Sequence, residues 1–209
     1  MNPVSALPDA SGAIIALDLF GIAVFAASGA LAAAKLRQTL VTFAFFALVT
    51  GVGGGTVRDL LIGAPVFWVH DWTFPAVCLV TAALVWLTPK SFWNERALDW
   101  FDAVGIAIYA VFGAWKSLTL GVQLLPAMMM GVITACVGGI IRDVLAGEPS
   151  ILLKPEIYVT AAALASGLFV LLLWLEMPLL PAAIISAVAG FALRAMAIFK
   201  GWAIPAYRG

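Results

Sequence analysis

The sequence predicts an all-α integral membrane protein with seven transmembrane helices, arranged as two inverted three-helix repeats plus a seventh helix. Composition, the lengths of the apolar runs and a doubled motif carry that expectation. Of the 209 residues, 64% are hydrophobic and 11% charged, with zero net charge and a mean hydropathy of +1.11. A soluble domain has roughly 45–50% apolar and about 25% charged residues. Zero net charge and the absence of a basic run argue against a nucleic-acid partner. The chain 1–209 reads as a single membrane domain surrounded by lipid.

A helix needs about 20 residues to cross the hydrocarbon core, and lipid leaves no water to satisfy a non-helical backbone. Seven runs qualify as spans: Ala13–Ala34, Leu40–Ile62, Phe74–Leu87, Phe101–Leu120, Gln123–Ala146, Ile157–Leu175 and Leu179–Phe199. The third is short. Polar or turn-forming pieces separate them, including Trp68–Thr73 and Thr88–Trp100. Tryptophans 68, 72, 86, 93, 100, 174 and 202 fall near those ends, at headgroup level. The N-terminus has no basic region ahead of a short apolar core, so no cleaved signal peptide is expected. Cys78 and Cys136 stand alone in apolar runs, as inert thiols do.

With the N-terminus outside, Lys35, Arg37, Lys90, Arg96, Lys154, Arg194, Lys200 and Arg208 fall at cytoplasmic loops or ends; setting aside Arg58 and Arg142 inside the spans, Lys116 alone lies toward the outer side. The positive-inside rule therefore places the N-terminus outside and the C-terminus in the cytoplasm.

The stretch Gly51–Pro65, GVGGGTVRDLLIGAP, recurs 84 residues later in Ala135–Pro149, ACVGGIIRDVLAGEP. Gly54, Gly55, Arg58, Asp59, Leu61, Gly63 and Pro65 return as Gly138, Gly139, Arg142, Asp143, Leu145, Gly147 and Pro149. At the same offset Asp18, Gly21, Ile22 and Gly29 return as Asp102, Gly105, Ile106 and Gly113. The units are therefore about 13–87 and 101–175, followed by an extra helix at about 179–199. Three spans per unit is odd, so the second unit enters from the opposite side, and a pathway between the halves is expected.

Intramembrane charges pair or face a water-filled cavity. Depth places Asp18 with Arg58 at the outer mouth and Asp102 with Arg142 at the inner mouth, each as an acid–base pair or a shared polar cluster. Adjacent glycines Gly53–Gly55 and Gly138–Gly139 spread around a helix, so a bend or unwinding that turns backbone carbonyls toward a cavity is expected there. On the Gly21, Ala26, Gly29 and Ala30 face, close helix approach is the expected role. Arg58/Asp59 and Arg142/Asp143 stand just beyond the bends and read as pore or gate groups, with anchoring of helix ends as the other reading.

GVGGGTVRDLLIG followed by PVFWVHD, SGALAA at Ser28–Ala33, VGGIIRDVLAGEP, and FGAWKSLTLG at Phe112–Gly121 together resemble the prokaryotic branch of the trimeric intracellular cation (TRIC) channel family. That branch is also known as a glycine transporter domain family. The resemblance covers nearly the whole chain. It implies a seven-helix protomer in a homotrimer in the prokaryotic plasma (inner) membrane, with a pore for monovalent cations, mainly K⁺, through each protomer. It implies pore-forming kinks in the second and fifth helices, here at Gly53, Gly54 and Gly55 and at Gly138 and Gly139, and a pore position for Lys116. Val137 stands where a third glycine would be, so the second bend is expected to be weaker. The eukaryotic branch's longer basic signature is not evident, so regulation by phosphoinositides or calcium is not implied.

Position alone leaves Lys116 between the pore and snorkelling to the interface; the resemblance favours the pore. His70, the only histidine, cannot make a metal site alone, and a weak pH-sensing role stays open. No cofactor, tightly bound metal or enzyme activity is expected, since GVGGGTVRD lies in an apolar span and lacks the Lys-Ser/Thr of a phosphate loop. Transient K⁺ would be held by carbonyls near the glycine bends. The alternative is a secondary transporter of a small zwitterion such as glycine, gripped at broken helix ends.

Overall fold

The structure, a computed structural model, describes residues 12–94, 96–153 and 157–203. The N-terminal stretch 1–11 and two cations used for orientation, Lys154 and Arg208, lie outside the described residues. Within them the chain forms α1 Gly12–Lys35, α2 Leu40–Leu61, α3 Phe67–His70, α4 Thr73–Leu87, α5 Ala97–Thr119, α6 Leu124–Ala146, α7 Val159–Trp174 and α8 Leu179–Lys200. Five of these, α1, α2, α5, α6 and α8, are long and apolar enough to cross a membrane. With 15 and 16 residues, α4 and α7 reach only about 22–24 Å at 1.5 Å per residue, short of the ~30 Å core.

Two boundaries differ from expectation for local reasons. The third run, short and with a start nearer Val66 left open by the sequence, is preceded by a separate one-turn helix, α3, capped at Val66. Helix α5 begins at Ala97 instead of Phe101, with Asp99 in its first turn. A carboxylate there favours the positive end of the helix dipole, so an acid that read as loop polarity belongs to the helix.

Helix ends repeat at the offset of 84. Both α2 and α6 stop on a left-handed glycine, Gly63 (φ 70°) and Gly147 (φ 69°). After α1, Arg37 N–H donates to Ala34 O and Gln38 N–H to Ala33 O; after α5, Gly121 N–H donates to Leu118 O and Val122 N–H to Ser117 O. These paired bonds satisfy the last carbonyls of each helix, as in a Schellman ending. The left-handed residue is Gly121 (φ 82°) in one case and Arg37 (φ 54°) in the other.

Helices α1, α2 and α4 pack on one another, as do α5, α6 and α7; α2 meets α6, α1 meets α5, and α8 lies against α5 and α7. The α2–α6 seam is backbone on backbone. A Cβ on Gly54 would collide with Thr134 O, and one on Gly138 with Thr50 O. Since Gly54 faces Thr134 while Thr50 faces Gly138, the two helices run antiparallel. The α1–α5 seam follows the same pattern, with Tyr109 over Gly21 and Phe25 over Gly105. The Phe25 and Tyr109 rings meet edge to face at 5.4 Å.

The unwinding expected at the glycine runs is not found. Helix α2 is unbroken through Gly51–Gly55, as α6 is through Gly138 and Gly139, so these carbonyls sit within helical turns. Close approach, the role expected on the α1 face, is what these glycines serve here. A Cβ on Gly29 would strike Phe46 O, one on Gly55 would lie 2.7 Å from Phe67 Cε1, and one on Gly139 would meet the Tyr158 hydroxyl.

Position-specific substitutions test this. Gly54→Ala and Gly138→Ala each push a methyl into a backbone carbonyl that cannot yield without parting α2 from α6, so each is expected to cost about 1–3 kcal/mol, read as a lower thermal midpoint in detergent. Gly53→Ala meets the flexible Ile141 Cδ1 at 3.2 Å and Gly138 Cα at an ordinary 3.9 Å and gains about 1 kcal/mol of helix propensity, so it should be neutral or stabilising. Equal losses at all three positions would show that flexibility, not contact, is what the glycines supply.

Candidate functional site: two buried charge clusters

Each Arg-Asp pair closes on itself in the same way. Arg58 Nε donates to Asp59 Oδ1 at 2.9 Å, and Arg142 Nε donates to Asp143 Oδ1 at 2.9 Å. The second guanidinium nitrogen, Nη2, lies 2.8 Å from the same oxygen in both. The remaining oxygen accepts a backbone N–H eight residues on: Phe67 N–H reaches Asp59 Oδ2 at 3.1 Å, and Ile151 N–H reaches Asp143 Oδ2 at 2.9 Å. Each aspartate thus ties its helix end to the following loop. Arg58 and Arg142 are 1% exposed, and buried charges persist only when paired and hydrogen-bonded.

The clusters then diverge. Around Arg142, Nη1 lies 2.8 Å from Asp102 Oδ1 and also donates to Ser28 Oγ at 3.1 Å. The expected Asp102–Arg142 pairing is present. Around Arg58 the equivalent pairing with Asp18 is not found: no ion pair joins them among the described residues. Asp18 Oδ1 instead accepts from the Tyr109 hydroxyl at 2.7 Å. Arg58 Nη1 has no hydrogen-bond partner among the described residues, and its guanidinium faces the Phe112 ring at 5.8 Å.

Two exchanges between equivalent positions account for this. Tyr109 is the counterpart of Phe25, and only Tyr109 carries a hydroxyl to occupy its aspartate. Phe112 is the counterpart of Ser28, so the place of an acceptor for Arg142 is taken by a ring beside Arg58. Arg142 therefore bridges three partners, whereas Arg58 keeps one carboxylate and a cation–π contact.

Lys116 joins the Arg58 cluster. Its Nζ lies 3.2 Å from Asp59 Oδ2 and 5.2 Å from the centre of the Phe67 ring, so the partly exposed ammonium is drawn against the cluster. Among expected loop cations, Arg194 is 2% exposed; its Nη1 donates to Ile157 O at 3.3 Å and its guanidinium lies over Tyr158 at 5.5 Å. Sequence position alone gave Arg194 to a helix end; its i−4 neighbour Gly190, packed on Ala165 and Ala161 O, marks the inward face of α8. Tyr109 and Tyr158 were likewise not singled out by the sequence.

His70 is exposed at the end of α3. Beside it, Thr73 donates to Asp71 Oδ1 from its hydroxyl at 2.7 Å and its N–H at 2.9 Å, and these bonds hold the Asp71 carboxyl below the usual range. No group of three or more potential metal ligands occurs among the described residues. Cys78 and Cys136 are free and buried.

The fold and the clusters define an all-helical, multi-pass membrane protein with charge sealed inside its helix bundle. A family model described as "Glycine transporter" matches residues 15–90 and again 99–174. Among solved structures, the TRIC trimeric intracellular cation channel orthologue from Rhodobacter sphaeroides is 38% identical, covers 92% of this chain and all of its own (100%), and superposes with a TM-score of 0.85. Another TRIC cation channel structure is 28% identical with a TM-score of 0.83, covering 93% of this chain and 97% of its own. An Escherichia coli K12 UPF0126 inner membrane protein, YadS, is 44% identical over 150 residues, 69% of this chain and 72% of its own. A UPF0126 membrane protein of Vibrio cholerae is 42% identical over 159 residues, 73% of this chain but only 65% of that relative's length. The chain belongs to this family, the TRIC channel family.

The divergence of the clusters has a measurable consequence. Arg142→Met leaves Asp102 buried without its cation, for an expected loss of about 3–5 kcal/mol. Arg58→Met leaves Asp59 with Lys116 and the Phe67 N–H, so its loss should be smaller by ~1 kcal/mol or more. Unfolding midpoints of the two purified variants compare them directly; equal losses would contradict the partner sets described.

Proposed function

We propose that this chain is a cation channel, passing monovalent cations, chiefly K⁺, through a path inside each protomer of a homotrimer in a prokaryotic inner membrane. The observation that carries it is the pair of equivalent Arg-Asp clusters, one at each end of the antiparallel α2–α6 seam. Arg58 and Arg142 each lie six residues from the middle of that seam, which separates them by roughly 18 Å along the helices. Buried intramembrane charges mark ion pathways, and the likeness to solved TRIC cation channels supports the same reading.

In this reading 13–87 and 101–175 are inverted three-helix repeats, 179–199 is the seventh span, and the N-terminus faces outside. This reading takes the unbroken α2 and α6 as the closed state. Opening bends α2 at Gly53–Gly55 and α6 at Gly138–Gly139, releasing carbonyls that ligate K⁺ while Arg58/Asp59 and Arg142/Asp143 gate the mouths. Lys116, with Asp18 nearby and Asp102 at the other mouth, tunes cation occupancy.

A carrier of a small zwitterion is the second reading, favoured by one observation: Arg58 Nη1, without a hydrogen-bond partner among the described residues, is a donor for a carboxylate. Recording purified protein in planar bilayers under a K⁺ gradient separates the two, with discrete unitary currents expected. Glycine uptake into proteoliposomes without such currents would overturn the channel. Lys116→Ala removes a positive charge from the path, so unitary conductance is expected to rise at low salt and to rise less at 1 M, where charges are screened within about 3 Å. Unchanged conductance and voltage dependence would remove Lys116 from the path.

A further inference from the structure

We infer that a cavity at the end of the first repeat binds the headgroup of an anionic phospholipid. It measures about 670 Å³ and lies where α1 ends, α2 begins, α4 ends and α5 begins. Its lining includes Lys35, Arg37 and Gln38 together with Phe43, Trp86 and Trp93. No carboxylate appears among the described residues that line it. Among its described lining residues two cations, Lys35 and Arg37, stand against no acid.

Its place fits a lipid better than a soluble ion. Lys35 is the last residue of α1 and Trp86 is one residue from the end of α4, so cations and indoles meet at headgroup level, where tryptophan settles. Trp93 Nε1 already donates to Thr88 Oγ1 at 2.8 Å, which leaves the indole as an apolar wall. Phe43 and Trp86, edge to face at 4.9 Å, continue that wall for the first acyl methylenes. Basic pockets between transmembrane helices take anionic headgroups by this combination.

The backbone supplies a second observation. Arg37 holds a left-handed conformation (φ 54°) at the turn where its counterpart 84 residues on is Gly121 (φ 82°). Glycine suits that conformation better than any L side chain, so the turn itself does not call for arginine. What arginine adds is a guanidinium at the cavity wall, able to hold a phosphodiester in a bidentate grip.

Native mass spectrometry of the purified full chain in a neutral detergent tests the site, with dioctanoyl phosphatidylglycerol, dioctanoyl phosphatidylcholine and inorganic phosphate as probes. Wild type is expected to bind the phosphatidylglycerol at least tenfold more tightly than the phosphatidylcholine, and inorganic phosphate weakly or not at all. Arg37→Gly and Lys35→Gln should each weaken phosphatidylglycerol binding about fivefold. Arg37→Gly should keep or raise the thermal midpoint, because it relieves the turn, and Lys35→Gln provides an independent reading. Undiminished phosphatidylglycerol affinity in both variants would overturn the site. Equal affinity for phosphatidylcholine would reduce it to apolar adsorption, and phosphate binding as tightly as the lipid would make it a free-anion site; either result refutes the proposal. Bilayer currents do not enter this readout, so its failure is distinct from failure of the channel reading.

Discussion

The backbone contact between α2 and α6 is the constraint on which the rest depends. Lipid tails are as apolar as the helix surfaces, so association in a membrane relies on close packing. Gly54 against Thr134 O and Gly138 against Thr50 O remove the side chains that would hold α2 and α6 apart. Because the contact is antiparallel and self-equivalent, it sends the two Arg-Asp pairs in opposite directions. It also brings α1 against α5, where Phe25 and Tyr109 meet. Neither half alone could bury its arginine so completely, since Arg142 reaches across to Ser28 of the other half and Arg58 faces Phe112.

Equivalent frames do not make equivalent ends. One hydroxyl on Tyr109 and one ring at Phe112 suffice to turn a three-partner arginine into a one-carboxylate arginine. The Arg142 end is locked by charge-assisted bonds, which are short and strong. The Arg58 end trades part of that for Lys116, whose longer 3.2 Å contact with Asp59 and partial exposure make it the easier group to displace. Of the two ends, the Arg58 end is held by fewer charge-assisted bonds.

Much of this was legible in the sequence because the informative residues are rare in an apolar chain. The 84-residue offset located both clusters, and helix depth paired Asp102 with Arg142. For Asp18 depth gave the shared cluster with Arg58 and Lys116 but not the direct partner, since depth does not say that Tyr109, a residue of the other half, takes its Oδ1. Adjacent glycines read as a bend or an unwinding, and helical bonding runs on through both: a glycine run tells of missing side chains, and only the partner helix decides whether that gap is filled. Arg194 read as an end cation because it sits near Lys200, whereas the α7–α8 packing draws it inward onto Tyr158.

The central claim is that the loops following the two Arg-Asp motifs lie on opposite sides of the membrane. Ala64→Cys and Glu148→Cys, equivalent positions just after α2 and α6, can be labelled in intact cells and in inverted vesicles with a membrane-impermeant maleimide, since the native Cys78 and Cys136 are buried. Labelling of the residue-64 variant from outside only, and of the residue-148 variant from inside only, is the predicted result. Labelling of both from the same side would contradict the inverted arrangement and with it the pathway between the halves.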